Sequence, residues 1–86
     1  MIIRFLPSFR RSLKKLTPEQ KQNVSKAIAL FARNPFDAKL RNHKLQGKYE
    51  RIHSFSAGYD LRILYREGGG YAVIFLIDVG SHDEVY

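Results

Sequence analysis

An α+β fold is predicted by three observations. The chain opens on a short apolar run, continues through two helix-period segments with a sharp restart between them, and closes on three β-rich runs separated by glycine turns. The expected order is an N-terminal strand, an antiparallel helical hairpin and a three-stranded antiparallel meander, with the helices on one sheet face. At 86 residues the chain has room for one domain, residues 1–86, with a thin core.

Each element has a local cause. Ile2–Leu6 reads as a strand ended by Pro7. Ser8 suits the cap of a helix whose apolar face is Phe9, Leu13 and Leu16, with Arg10, Arg11, Lys14 and Lys15 on the wet side. Thr17-Pro18-Glu19-Gln20 is the restart: Thr17 at the N-cap, Pro18 at the first helical position, Gln20 completing a capping box. Val24, Ala27, Ile28 and Phe31 then form one apolar stripe, ended by Asn34-Pro35. Residues 36–48 make a polar, basic connection. Tyr49–Phe55, Leu61–Arg66 and Tyr71–Asp78 are rich in β-branched and aromatic residues, with turns at Ser56-Ala57-Gly58 and Glu67-Gly68-Gly69-Gly70. Gly80 is expected to break the last strand, leaving Ser81–Tyr86 as a tail.

Composition narrows the chemistry. Fifteen Lys and Arg against eight Asp and Glu give a formal charge of +7, which draws polyanions or an acidic protein. The chain has no cysteine, so disulfides, thiolate metal sites and cysteine nucleophiles are excluded. That absence fits a reducing compartment, and a cytoplasmic location is the expectation. The opening MIIRFLPSF is too soon interrupted for a signal peptide, and no run is long enough to span a bilayer, so no membrane role is expected. The histidine spacings match no compact ligand motif, so neither a metal nor a cofactor is expected. Gly68-Gly69-Gly70 precedes a strand rather than a helix and reads as a hairpin turn, not a phosphate loop.

Alternation along Leu61–Tyr65 puts Leu61, Ile63 and Tyr65 under the helices and Arg62 on the opposite face. Arg51 and His53 share a face of the preceding strand and come near Arg62 if the register allows. His43 lies in the basic connection and His82 in the tail, four residues before Tyr86. Exposed surface explains any one of these residues. Together they supply what phosphodiester cleavage needs: titrating groups to take and return a proton, and a cation for the charge developing on phosphorus. A non-catalytic nucleic-acid or ribosome-binding module would need only the charge and the aromatic residues.

The segments LRNHKLQGKY, SAGYDLRILY and DVGSHDEVY resemble the RelE/ParE superfamily of bacterial type II toxins. The likeness is strongest to its RelE/StbE branch and the YafQ-like mRNA interferases, and the helical hairpin followed by a meander matches as well. The resemblance implies a ribosome-dependent, metal-independent endoribonuclease acting on A-site mRNA and silenced by a cognate acidic antitoxin. His43, Asp60, His82 and Tyr86 match positions that YafQ-like members use, and Arg62 matches the strand arginine that RelE-like toxins place on the phosphate. The strand histidine of that set is absent: Ser56 occupies its position, and His53 lies nearby on the opposite parity. Arg41, Lys44, Lys48, Arg51 and His53 are the expected RNA contacts. The same fold in ParE-like members implies a different target, DNA gyrase, without RNA cleavage.

Overall fold

The protein is described here from a computed structural model, which covers residues 1–47 and 51–86. The elements are β1 (Ile2–Phe5), α1 (Pro7–Lys14), α2 (Pro18–Arg33), a 3-10 turn (Ala38–Leu40), β2 (His43–Lys44), β3 (His53–Ser56), β4 (Leu61–Gly68), β5 (Val73–Ser81) and α3 (His82–Val85). The five strands form one sheet in the order β1-β5-β4-β3-β2. β1 runs parallel to β5, and the remaining neighbours are antiparallel. The expected α+β architecture is present: a meander of β3, β4 and β5, with the N-terminal strand added at one edge.

The core lies between the helices and one sheet face. Phe9, Val24, Ala27 and Phe31 from the helices meet Phe55, Leu61, Ile63, Tyr65, Ile74, Leu76 and Val79 from the strands. Phe31 stacks on Phe55 at 4.4 Å between ring centroids and meets Tyr65 edge-on at 5.0 Å. The restart before α2 has the expected chemistry. Thr17 accepts from the Gln20 N–H while the Gln20 side chain accepts from the Thr17 N–H, with Pro18 opening the helix.

Several boundaries differ from the sequence reading. Pro7 opens α1 rather than merely ending β1, with Leu6 at the cap. Ser8 therefore does not cap; its hydroxyl donates to the Ile77 carbonyl, and Ser12 donates to Asp78. β1 pairs only with Val73–Leu76, so α1 covers the β5 edge that β1 leaves unpaired. The first meander strand starts at His53 and runs to Ser56; of its expected Tyr49–Phe55 span, Tyr49 and Glu50 lie outside the described residues. β5 starts two residues later than expected and continues through Gly80 to Ser81, so Gly80 does not break it. A Cβ on Gly80 would stand 3.1 Å from Val85 Cγ1 and 3.2 Å from Glu84 Cβ, so the glycine lets α3 fold back against the strand. Register slips between Leu64 and Tyr65, whose partners are Asp78 and Leu76, leaving Ile77 unpaired. This bulge keeps both Leu76 and Val79 in the core, which strict alternation would forbid.

Candidate active site

The chemistry collects on the sheet face opposite the core. Phe55 and Ile63 are a core pair, so the adjacent pairs, Ser54 with Leu64 and Ser56 with Arg62, face the other way. His43 on β2 stands directly opposite Ser54, and Gly80 on β5 opposite Arg62. α3 packs across β4 and β5 on this face. Its Ser81–Glu84 capping box holds the turn, and the Ser81 N–H and hydroxyl bonds hold the Glu84 carboxyl below the usual carboxylate range. The Tyr86 hydroxyl donates to the Ser54 hydroxyl, which is 0% exposed, and His82 packs edge-on against the Tyr86 ring at 4.4 Å. The tail is thus docked, with Tyr86 37% exposed.

His43, Arg62, His82 and Tyr86 are therefore brought onto one face from β2, β4, α3 and the C-terminus. The segment carrying His43 is pinned by its neighbour Asn42. That amide donates to the Pro35 carbonyl at 3.0 Å and accepts from the Tyr65 hydroxyl at 2.5 Å, and Tyr65 in turn meets the Tyr71 hydroxyl at 2.9 Å. Burial pushes the Tyr65 phenol well above the ordinary tyrosine range, so it stays a neutral donor. His43 Nδ1 lies 2.9 Å from the Arg41 carbonyl, which orients its ring. Arg62 donates from Nη1 to the Leu61 carbonyl at 3.0 Å and remains half-buried.

Arg62 also lines a cleft of about 430 Å³ with Lys26, Lys39, Arg41, Ser56 and Tyr59. Four cations and no carboxylate border it. Among the described residues the single ion pair is His82 with Asp83 at 3.6 Å, so these cations are not neutralised by neighbours. Their positive potential adds up, as an anionic backbone requires. Lys26, Lys39 and Tyr59 were not singled out in the sequence. The available signal was helical: Asn23, Lys26, Ala27 and Leu30, all lining the cleft, fall at i, i+3, i+4 and i+7 beside the apolar stripe.

Other expected residues sit elsewhere. Asp60 is exposed in the β3–β4 turn, two positions before Arg62. His53 pairs with Tyr65 rather than with Arg62, and its ring stacks on Tyr65 at 5.1 Å, on the helix side. Strand parity therefore separates it from Arg62. Desolvation lowers its pKa, opposed by Glu67 and aided by Lys44 and His43. Lys44 and Arg51 join His53, Arg66 and Glu67 in a separate recess of about 250 Å³. Lys48 lies outside the described residues. Among the described residues no group of three or more His, Cys, Asp or Glu is placed to hold a metal ion, and no helix is long and apolar enough to cross a membrane.

A comparison of this sequence with curated proteins gives no match. Solved structures do match. The YafQ toxin of E. coli superposes with a TM-score of 0.81 at 15% identity, over 98% of this chain and 96% of that one. The E. coli DinJ–YafQ toxin–antitoxin complex matches at 0.78 and 15%, over 98% and 94%. A RelBE toxin–antitoxin complex from Mycobacterium tuberculosis matches at 0.66 and 24%, over 94% and 96%. At these identities the likeness establishes the fold. The family model described as the bacterial toxin of a type II toxin–antitoxin system, YafQ, matches residues 1–86. The chain belongs to that family of bacterial type II toxins.

Proposed function

We propose that this toxin is a metal-independent endoribonuclease that cuts mRNA in the ribosomal A site. The observation that carries the reading is the convergence of His43, Arg62, His82 and Tyr86 on one face, with Arg62 shared by an acid-free cationic cleft. The ribose 2′-oxygen attacks the adjacent phosphorus as the bond to the 5′-oxygen breaks. One histidine takes the 2′ proton and the other returns a proton to the leaving 5′-oxygen, giving a 2′,3′-cyclic phosphate and a 5′-hydroxyl. Arg62 donates to the non-bridging oxygens, where charge accumulates. The Tyr86 ring offers a stacking surface for an unpaired base beside His82. With Ser56 at the strand position, two histidines carry the proton transfers, and Asp60, in the turn two residues before Arg62, is assigned to orienting a histidine. Arg41 binds the RNA backbone. Lys44, Lys48, Arg51 and His53 are assigned to RNA or ribosome contacts away from the reacting phosphate.

A nuclease of translating mRNA needs restraint, and we assign this to a cognate acidic antitoxin acting in the cytoplasm. The DinJ–YafQ and RelBE relatives are toxin–antitoxin complexes. Here the +7 chain offers a matching surface for an acidic segment laid over the helices or the basic sheet face. The test is cleavage on programmed ribosomes by Arg62→Ala and His82→Ala chains. Each is expected to lose about 10²–10⁴-fold in rate, the usual contribution of an acid–base group or charge-stabilising donor, while still binding ribosomes. Full cleavage by both variants would remove the reading.

A further inference from the structure

The same sheet face carries a second constellation at its other end. Arg4 of β1 stands opposite Phe75 of β5, and Phe75 opposite Arg66 of β4, in one row across three strands. Ile74, the next residue, is fully buried in the core, so Phe75 and its partners face away from the helices. Phe75 is 38% exposed, and both arginines are exposed. Adjacent strands lie about 4.8 Å apart, so the arginine backbones are about 10 Å apart with the ring midway. The neighbouring positions on this face are Ile2, Val73, Leu64 and Gly68, with Asp78 opposite Leu64; its carboxylate accepts from the Ser12 hydroxyl and the Val79 N–H and forms no ion pair with either arginine. Glu67 faces the helix side, where it accepts from the Tyr71 N–H. Tyr86 and α3 dock at the far end, on Ser54 and Gly80, and leave this row open.

An open aromatic ring between two cations that form no ion pair among the described residues suits single-stranded nucleic acid: a base stacks on the ring and the flanking phosphates meet the guanidinium groups. Arg62 and Arg66 share a strand and a face four residues apart, a span of about 13 Å. We infer that the Arg4–Phe75–Arg66 row is a second RNA contact, which holds a nucleotide flanking the one that reacts at Arg62. This rests on the proposed nuclease reading only in taking Arg62 as the reacting end. Binding at the row is measurable without cleavage.

The test uses the full chain and a short 2′-O-methyl oligoribonucleotide, whose blocked 2′-oxygen prevents the attack. Affinity is read by fluorescence anisotropy across a salt series, with melting curves checking that each variant folds. Phe75→Leu keeps the apolar volume and is expected to weaken binding about 10-fold, in the range of one lost base stack, with an unchanged salt slope. Arg66→Gln is expected to reduce the slope by about 0.7, one phosphate contact on a single strand. Unchanged affinity and slope in these variants would overturn the inference even if the wild-type chain cleaves mRNA. It would also be overturned if RNA affinity held while Phe75→Leu abolished self-association in sedimentation, since the face would then be a protein contact. Conversely, the two expected shifts in a chain that cuts no mRNA would leave the row standing and remove the nuclease reading.

Discussion

Tyr86→Phe deletes one oxygen atom, yet it should cost more stability than its size implies. The Tyr86 hydroxyl is the hydrogen-bond partner of Ser54, a polar side chain with 0% exposure. Phenylalanine leaves the ring in place over Ser54, excluding water while offering no donor. The penalty is then that of an unsatisfied buried hydroxyl, about 1–3 kcal/mol, rather than the smaller net value of an exchangeable hydrogen bond. For a domain of this size each kcal/mol lowers Tm by about 4–8 °C, so a fall of roughly 10 °C is expected. Ser54→Ala should cost less, because it removes the buried group and leaves Tyr86, 37% exposed, free to turn its hydroxyl toward water. The double variant should lie close to Ser54→Ala alone, giving a coupling as large as the Tyr86→Phe penalty itself, about 1–3 kcal/mol, in a double-mutant cycle by calorimetry. Additive single effects, or a Tyr86→Phe chain that melts with the wild type, would refute the docking argument. Cleavage by Tyr86→Phe below its melting temperature should stay within a few-fold of wild type, because the ring beside His82 remains.

Other perturbations follow from the same geometry. Gly58→Ala should destabilise the chain by about 1–2 kcal/mol in urea unfolding, because Gly58 sits at φ +88° and a Cβ would lie 3.2 Å from Asn23 Nδ2. Tyr65→Phe should leave the sheet intact but loosen Asn42, and amide exchange should rise at residues 41–43 without a matching rise in β4. His53 has a lowered folded-state pKa, so the unfolded chain protonates first. Its contribution is present above the unfolded value near 6.5 and is lost as pH falls through the folded one, and His53→Phe should flatten that stretch of the stability–pH profile. The Glu84 carboxyl is likewise depressed, so the α3 cap holds above the ordinary carboxylate pKa and frays as pH falls through the depressed value. Glu84→Gln should remove this acid dependence in tail resonances followed by NMR.

The sequence carried the helices more fully than the sheet. Thr17, Pro18 and Gln20 encode the start of α2 within four residues, and the stripe through Val24 and Phe31 encodes its buried face, because both signals are local. Arg62 was legible for the same reason: alternation with Leu61 and Ile63 fixes its face without knowledge of any partner. Pairing is not local. Nothing near His43 announces that two residues form a strand opposite Ser54, and nothing near Tyr86 points to a hydroxyl 32 positions away. The bulge at Ile77 is equally silent, since it appears only when β4 and β5 are laid side by side. The lysines of the cleft were hidden for another reason. A cation at helical spacing beside an apolar stripe is the pattern of ordinary solvated surface, and only convergence with Arg41 and Arg62 distinguishes Lys26 and Lys39.

The central claim is that the His43–Arg62–His82 face drives 2′-oxygen attack on A-site mRNA. It is tested most directly by the ends of the product. Ribosomes programmed with a defined message and treated with the full chain should yield a single break in the A-site codon, its upstream fragment ending in a 2′,3′-cyclic phosphate and its downstream fragment beginning with a 5′-hydroxyl. A 2′-deoxy substitution at the cleaved nucleotide should abolish the break, as should Arg62→Ala. Fragments ending in a 3′-hydroxyl and beginning with a 5′-phosphate, or undiminished cleavage of the 2′-deoxy message, would contradict the account.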